Sequence, residues 1–282
     1  MRYQYRLQNV FALAGQTLTG NPLCVFEDGE GLTDAQMQAL ALQFNLSETT
    51  FILPPSGGAT AKVRIFTPGA ELPFAGHPTL GTAHTVRDLK GTGDQVTLEM
   101  QAGNIPVSAR GDRWTLRANA ATTRPFDMER LEILLVALGL ARDDLAADPI
   151  WVDTGMEQLL VPLTSRYAVK RIVPGAALAD FRNINGKVSV YAFSSLDEPE
   201  MLVRFFFHRT SSSIGEDPAT GSACANLGGY IVHTGRTLPL ARTLHQGEFT
   251  GRPSELQLAI AADGRVLVTG EVIELGRGHI DL

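Results

Sequence analysis

Apolar and polar positions alternate along short stretches of the first half of the chain, a pattern that predicts more strands than helices. Strands are predicted over residues 49–53 and 61–66, the second with β-branched side chains at alternate positions. A helix is predicted over residues 35–44, because Thr33 precedes it with the spacing of a capping box. A loop rich in proline and glycine follows over residues 67–76.

The second half repeats this order of elements. Its pattern predicts a helical segment over residues 176–181, strands over 188–193 and 202–207, and a polar loop over 209–215. Between the halves, residues 128–145 carry a helical pattern and are the best candidate for a linker helix. Strands outnumber helices in both halves, which predicts an α+β protein.

One short motif occurs twice. Residues 77–83 and 217–223 both read as imidazole or acid, proline, two residues, glycine, hydroxyl and alanine, at an offset of 217 − 77 = 140 positions. The offset is about half of the 282 residues. Upstream at the same offset, Val63 to Phe66 falls on Val203 to Phe206 without a gap. The repeat predicts two similar lobes with a cleft between them.

The motif predicts a helix N-terminus in each lobe. Proline is favoured at the first helical position and aspartate just before it, so the helices are expected to begin at Pro78 and Pro218. Two such N-termini facing one cleft suit a carboxylate, which indicates a small anionic substrate. The simpler interpretation of Asp217 is that it is an N-cap and has no other role. His77 is a poor N-cap, which favours a functional role for it.

Glu48 breaks the symmetry between the halves, since Val188 stands at its counterpart position. A carboxylate at the mouth of a strand in one lobe is a candidate catalyst, although an isolated glutamate there is usually only solvated. Three other residues have simpler interpretations. Ser222 fits a first-turn hydroxyl, and the equivalent His84 and Cys224 fit packing residues inside the helices.

Composition and charge narrow the class of protein. A formal net charge of −6 argues against a nucleic-acid or anionic-membrane partner. Two cysteines, Cys24 and Cys224, form neither a disulfide framework nor a metal-binding spacing. The first residues lack the apolar core of a signal peptide, and no apolar run is long enough to span a bilayer. We therefore expect a soluble, cytoplasmic protein.

Four segments together resemble the PhzF-like proteins of phenazine biosynthesis, which have the diaminopimelate epimerase fold. They occur in the family's order and cover essentially the whole chain. The segments are Gly20-Asn21-Pro22 with Val25-Phe26, Ser47-Glu48-Thr49, Phe74-Ala75-Gly76-His77-Pro78-Thr79-Leu80-Gly81, and Gly215-Glu216-Asp217-Pro218-Ala219-Thr220-Gly221-Ser222-Ala223.

The resemblance implies two pseudo-symmetric lobes, each an incomplete β-barrel around a central helix, with the active site in the cleft between them. The N-terminal lobe would comprise residues 1–118, completed by about 276–282, and the C-terminal lobe residues 119–275. It also implies a cofactor-free isomerase without a metal, typically a homodimer. In the best-understood family members the substrate is trans-2,3-dihydro-3-hydroxyanthranilate.

The resemblance also assigns roles to particular residues. Glu48 would move a proton between carbons as general acid and base, with His77 and Asp217 as the polar partners around the reacting groups. The residues implied to bind the substrate carboxylate are Ser47, Gly76, Gly221 and Ser222. A single carboxyl can perform such a shift, best with its pKa raised by partial burial.

Two alternatives to the proton-shift isomerase stay open. One is an epimerase or lyase acting on a related carboxylate, since these reactions begin with the same proton abstraction. The other is a non-catalytic carboxylate-binding protein of the same fold. Epimerases of this fold use two facing cysteines. Here Ala75 occupies the first position and the second falls near Asp217-Pro218, so cysteine-based racemisation is not expected.

Overall fold

Strands make up most of the regular structure in the computed structural model, which describes residues 1–210 and 213–282. The chain divides into unit 1, which comprises Met1–Arg117 and Thr269–Leu282, and unit 2, which comprises Ala118–Val268. The C-terminal return to unit 1 thus begins at Thr269 rather than near residue 276, the bound expected from the sequence. No helix among the described residues is long and apolar enough to cross a bilayer.

Unit 1 contains two helices and the following strands. The helices are α1 (Asp34–Phe44) and α2 (Gly76–Lys90). The strands are β1 (Arg2–Val10), β2 (Asn21–Phe26), β3 (Glu48–Leu53), β4 (Ala61–Phe66), β5 (Glu71–Leu72), β6 (Gln95–Met100), β7 (Gly103–Arg110), β8 (Arg113–Arg117) and, from Thr269 onward, β17 (Val266–Asp281). The capping box predicted at Thr33 is present and opens α1, as both of its hydrogen bonds form.

The strands of unit 1 form a barrel around α2. β1 pairs in antiparallel fashion with β17 and β2, β2 runs parallel to β3, and β3 is antiparallel to β4. β4 then runs parallel to β6, β6, β7 and β8 follow as antiparallel neighbours, and β8 returns to β17. Most of α2 is buried, including every residue from Gly76 to Ala83. The motif helix is therefore the core of unit 1.

Unit 2 contains three α-helices, four short 3₁₀ turns and eight complete strands within its described part. The helices are α3 (Leu131–Leu138), α4 (Arg166–Arg171) and α5 (Gly221–His233). The 3₁₀ turns are Met128–Arg130, Arg142–Asp144, Ala176–Asp180 and Glu248–Thr250. The strands are β9 (Thr122–Pro125), β10 (Ile150–Asp153), β11 (Gln158–Pro162), β12 (Ser189–Phe193), β13 (Glu200–Thr210), β14 (Ser213–Asp217), β15 (Leu240–Gln246) and β16 (Ser254–Ile260).

The pairing of strands in unit 2 repeats that of unit 1. β10 and β11 are antiparallel, β11 and β12 parallel, β12 and β13 antiparallel, β13 and β15 parallel, and β15 and β16 antiparallel. The same alternation runs from β1 to β7 in unit 1. α5, the second motif helix, is buried along most of its length, as α2 is. The two units thus share one topology.

Two elements differ from those predicted from sequence. The helix predicted over 128–145 is wrong in extent, because Gly139 at φ +68° ends α3 after Leu138. Its apolar face packs into the core of unit 2, so it is not a linker. The polar loop predicted over 209–215 is also wrong for its described part, where β13 and β14 pair as a hairpin. Residues 211–212 of that loop lie outside the described residues.

Candidate active site

In unit 1, Glu48 and His77 form a pair. Glu48 is the first residue of β3, and His77 is the second residue of α2. The Nε2 atom of His77 lies 3.3 Å from the Oε2 atom of Glu48, with exposed side-chain fractions of 5% and 15% respectively. The structure thus brings together a carboxyl group and an imidazole that are 29 positions apart (77 − 48) in the sequence.

Backbone geometry around β2 brings this pair together. The parallel register places Leu23 of β2 opposite Glu48, so β3 begins beside the Gly20-Asn21-Pro22 motif. Gly81 allows α2 to lie close to β2, because a Cβ atom there would stand 2.4 Å from the Cδ2 atom of Leu23. Gly81 therefore serves close packing, which places the start of α2 against the start of β3.

Burial determines the protonation of His77. It lowers the pKa of the imidazole to about 3, and hydrogen bonding to the backbone of Pro22 offsets only part of this effect. The ring is therefore neutral near pH 7. A neutral imidazole has one donor and one acceptor nitrogen. Because the backbone of Pro22 can only accept, the donor nitrogen of His77 is used there, and the other nitrogen can accept a hydrogen bond without adding charge to the site.

The two residues that the resemblance implied for carboxylate binding in unit 1 flank the pair. Ser47 is partly exposed in the bend just before β3, and Gly76 is the buried first residue of α2. The helix begins at Gly76 rather than at Pro78, since the amide of Thr79 donates the first helical hydrogen bond to the carbonyl of Ala75. Proline is still accommodated because Pro78 lies within the first turn.

In unit 2, Asp217 lies at the end of β14 and does not cap α5. The prediction of a helix beginning at Pro218 is wrong, because α5 starts at Gly221 after the N-cap Thr220. The hydroxyl of Thr220 donates a hydrogen bond of 2.5 Å to the Oδ2 atom of Asp217. Gln246, fully buried on β15, donates to the carbonyl of Asp217 and accepts from the amide of Thr220. These bonds hold the segment 217–220 as a separate turn.

The same pair of interactions anchors the approach to each motif. In unit 2, Arg204 on β13 forms two hydrogen bonds with Glu216 on β14, beside Asp217, at 3.0 and 2.7 Å. In unit 1, Arg64 on β4 forms two with Glu71 on β5, both at 2.7 Å. Each bidentate pair fixes a short strand against its longer neighbour. In unit 2 this pairing makes a strand of the segment predicted as a loop.

Gly221 and Ser222 are the first two residues of α5. Gly221 is buried, and Ser222 remains partly exposed. The Oγ atom of Ser222 accepts a hydrogen bond of 2.9 Å from the amide of Gln158 on β11. In unit 1, the equivalent hydroxyl of Thr82 is fully buried and lies 2.8 Å from that of Thr50. The two motif hydroxyls therefore have different surroundings.

The residues that hold Asp217 and Ser222 are not predicted from the sequence; they are Thr220, Gln246 and Gln158. The spacing of Asp217 and Thr220 is a signal of a local hydroxyl–carboxylate contact that could have been recognised. Gln246 and Gln158 carry no local signal, because each reaches the motif from a strand distant in sequence. Only the sheet pairing reveals them.

The cysteines and histidines outside the pair give no second candidate centre. Cys24 and Cys224 are buried, and burial raises the pKa of both thiols, which keeps them protonated. The packing role predicted for Cys224 is confirmed by its complete burial. His84 accepts a hydrogen bond from the indole of Trp114. Within the described residues, no group of three or more His, Cys, Asp or Glu side chains could hold a metal ion.

A profile of the family described as phenazine biosynthesis-like protein, PhzC-PhzF, matches residues 10–278. The chain belongs to this family. The PhzF resemblance inferred from the motifs is thereby confirmed over almost the whole chain. The chain is 35% identical over 292 residues to the trans-2,3-dihydro-3-hydroxyanthranilate isomerase of Pseudomonas fluorescens, with 96% of this chain and 97% of the relative covered. Curated relatives of this PhzF-family protein are named isomerases, and the chain is an isomerase.

Solved structures confirm the fold. A predicted epimerase from Pseudomonas aeruginosa is 32% identical, with a TM-score of 0.85 and 99% of both chains covered. A hydroxyproline epimerase from Agrobacterium vitis has a TM-score of 0.63 at 11% identity, with 100% of this chain and 93% of that chain covered. The second likeness shows the fold alone. It supports the predicted α+β fold of the epimerase type for this PhzF-family protein.

Proposed function

We propose that this PhzF-family isomerase moves a proton between two carbon atoms of a small carboxylic acid, with Glu48 as general acid and base and without a cofactor. The observation that carries the proposal is the Glu48–His77 pair, in which a largely buried carboxyl group lies 3.3 Å from a buried imidazole. A carboxyl group so placed can exchange protons with a bound ligand while being only partly hydrated.

The first candidate substrate is trans-2,3-dihydro-3-hydroxyanthranilate. It is suggested by the name of a relative with 35% identity over nearly its whole length. That compound contains a carboxylate, an amine and an unsaturated ring, which are the features that the reaction requires. Other small unsaturated or amino carboxylates form the wider class to be tested.

The proposed reaction conserves atoms and electrons. Glu48 takes a proton as a C–H bond breaks, and the electron pair of that bond spreads into the adjacent unsaturated system. Protonated Glu48, whose carboxyl proton exchanges with solvent, then gives a proton to a second carbon, which restores the carboxylate and leaves an isomer of the substrate. One carboxyl alternates between base and acid, so the overall reaction requires no oxidant or reductant.

The remaining residues are proposed to bind and orient the substrate. Neutral His77 and Asp217, which is held by Thr220, would accept hydrogen bonds from the amine and the hydroxyl of the substrate. The residues that begin the two motif helices, with Ser47, would bind the carboxylate through hydroxyl groups and free backbone N–H groups. These residues are Ser47, Gly76, Gly221 and Ser222.

The test measures the transfer of solvent deuterium into the carbon skeleton of the candidate substrate in D₂O by NMR and mass spectrometry. We expect Glu48→Gln to reduce turnover and deuterium incorporation by about 10²- to 10⁴-fold, the usual contribution of general acid–base catalysis. Glu30→Gln, which alters an exposed carboxylate of the same unit, serves as the control and should retain activity. Unreduced incorporation in folded Glu48→Gln protein would refute the role of Glu48.

Analysis of the product separates the reactions that share this first step. A shifted double bond identifies the proposed isomerisation. Inversion at one carbon identifies epimerisation, and loss of a β-substituent identifies elimination. Either of the last two outcomes, with Glu48 still required, would replace the proposed reaction but keep the proposed base.

A further inference from the structure

A buried line of hydrogen bonds runs behind the first turn of α5. The amide and hydroxyl of Thr154 both donate to the Oδ1 atom of Asn226, at 2.8 and 2.7 Å. The Nδ2 atom of Asn226 donates to the Oε1 atom of Gln158 at 2.9 Å, and the Nε2 atom of Gln158 donates to the Oγ atom of Ser222 at 2.9 Å. Asn226 and Gln158 are fully buried, whereas Ser222 is partly exposed.

The backbone determines the orientation of Asn226. The amide of Thr154 can only donate, so the atom of Asn226 that faces it has to be the oxygen. The carbonyl of Met156 can only accept, and it lies 2.8 Å from the other terminal atom of Asn226, which therefore has to be nitrogen. Two backbone groups thus exclude the flipped orientation of this amide.

The orientation of the Asn226 amide determines the hydrogen-bonding roles of Gln158 and Ser222. The second N–H of Asn226 points at Gln158 and requires an acceptor there, which is the Oε1 atom. The amide nitrogen of Gln158 therefore faces Ser222 and can only donate to its hydroxyl oxygen. The single proton of Ser222 is left for another acceptor, and within residues 1–210 and 213–282 the structure gives this hydroxyl no hydrogen bond other than the one it accepts from Gln158.

We propose that Gln158 and Asn226 are positioning residues that make Ser222 an obligate hydrogen-bond donor toward the substrate carboxylate. This inference rests on the proposed function, which assigns Ser222 to carboxylate binding. The backbone N–H of Thr154 and the carbonyl of Met156 fix the orientation of the Asn226 amide. That amide fixes the orientation of Gln158, which presents a donor to Ser222. A group that can only donate favours a ligand atom that can only accept, and both oxygens of an ionised carboxylate are acceptors.

The equivalent position in unit 1 lacks this arrangement. The hydroxyl of Thr82 is fully buried, and its hydrogen-bond partner is the hydroxyl of Thr50 rather than a glutamine. Gln8, a buried strand glutamine of unit 1, donates instead to the hydroxyl of Thr85, three positions further along α2. The fixed donor is thus a feature of α5, and Gln8 provides a matched control for Gln158.

The first test is a double-mutant cycle with anthranilate as the probe, measured by isothermal titration calorimetry. We expect Ser222→Ala to weaken anthranilate binding about tenfold or more, which is the usual effect of losing a hydrogen bond to a charged group. Gln158→Met should weaken it several-fold when Ser222 is present and leave it unchanged in the Ser222→Ala background. Gln8→Met should stay within about twofold of the unaltered protein.

A second variant replaces the donor that faces Ser222 with an acceptor. Gln158→Glu is nearly isosteric but can only accept, so it should take the proton of Ser222 away from the ligand. We expect it to weaken binding of anthranilate more than that of anthranilamide, whose carboxamide is uncharged. Equal losses for both ligands, additive losses in the cycle, or no binding of anthranilate at millimolar concentration by the unaltered protein would each overturn the proposal.

A neutron structure of the unaltered, deuterium-exchanged protein keeps the proposal testable where a variant fails to fold. The expected result is a deuteron on the Oγ atom of Ser222 that points away from Gln158. A deuteron placed between Ser222 and Gln158 would overturn the proposal. None of these measurements depends on Glu48, so failure here is distinguishable from failure of the proposed reaction, which the deuterium transfer tests.

Discussion

Burial of a single imidazole couples the candidate site to the stability of the protein. Burial lowers the pKa of His77 to about 3 in the folded state from its ordinary value of 6.5. Between these pH values the unfolded chain binds a proton that the folded chain does not. The free energy of unfolding therefore falls as the pH falls from 6.5 toward 3, and this contribution is constant above pH 7. Burial of His77 in its neutral form thus lowers the free energy of unfolding at acidic pH.

A substitution of His77 should remove this acid sensitivity. We expect His77→Asn to reduce the loss of unfolding free energy between pH 7 and pH 5 by about 2 kcal/mol relative to the unaltered protein. Urea denaturation at the two pH values, followed by circular dichroism, measures the difference. His279→Asn, at a half-exposed histidine, is the control. An unchanged pH dependence in His77→Asn would show that the buried imidazole does not carry the effect.

At the same scale, site residues could be predicted from the sequence where they stand in short local motifs, and could not where their partners are distant in sequence. His77 and Glu48 stand in short motifs that could be recognised, and the asymmetry between Glu48 and Val188 singled out the carboxylate. Gln246 and Gln158 could not be predicted, because their partners are set by strand pairing across 26 and 64 positions. The local sequence around a strand glutamine does not show whether its side chain is a buried hydrogen-bond partner or is exposed to solvent.

At the scale of elements, the close approach of α2 to β2 depends on the absence of a side chain at Gly81. A Cβ atom there would stand 2.4, 2.8 and 3.0 Å from atoms of Leu23, Gln8 and Val10. We expect Gly81→Ala to lower the free energy of unfolding by about 1–3 kcal/mol through overpacking. Gly57→Ala, where nothing lies within 4 Å, should be close to neutral. Equal effects of the two substitutions in urea denaturation would contradict this account.

The two bidentate arginine–glutamate pairs differ in burial, and their removal should differ in cost. Arg204 and Glu216 are 5% and 13% exposed, whereas Arg64 and Glu71 are 21% and 31% exposed. We expect Arg204→Met to lower the free energy of unfolding by about 3–5 kcal/mol, because it leaves a buried carboxylate unpaired. Arg64→Met should cost about 1 kcal/mol, nearer to an exposed pair. Urea denaturation of both variants makes the comparison, which a reversed order of costs would refute.

The helices and strands of this fold could be predicted where the sequence pattern that defines them lies within the element itself. The capping box at Thr33 and the alternating run at Ala61–Phe66 gave the bounds of a helix start and of a strand. The start of α5 was misplaced, because its preceding turn is held by Gln246 from β15. Likewise, β14 owes its strand conformation to Arg204 on β13, which the polar composition of the segment does not reveal.

At the scale of the whole molecule, unit 1 is built from both ends of the chain. β1 pairs with β17 from Arg2↔Asp281 to Val10↔Val272, and Arg2 also forms an ion pair with Asp281. The 140-residue repeat predicted two units from sequence alone. It could not predict that β17 belongs to the barrel of unit 1 from Thr269 onward, since that requires pairing across nearly the full sequence.

Removing the C-terminal strand should therefore destabilise the beginning of the chain. We expect deletion of residues 276–282 to expose the backbone amides of Arg2 to Leu7 on β1, because their partners on β17 are lost. Hydrogen exchange followed by mass spectrometry should show faster exchange of β1 and α2, with β11 and β12 of unit 2 little changed. Slow exchange of β1 in the shortened chain would contradict the pairing.

The same pairing dictates an order of events during biosynthesis. β1 leaves the ribosome before its neighbour β17, because it precedes β17 in the sequence. At about 5–20 residues per second, roughly 260 residues separate the two strands by a quarter of a minute to a minute. Unit 2 is contiguous in sequence and can be completed during that interval, whereas β1 waits with an open edge. A nascent chain of this protein is therefore in need of a chaperone at the open edge of β1.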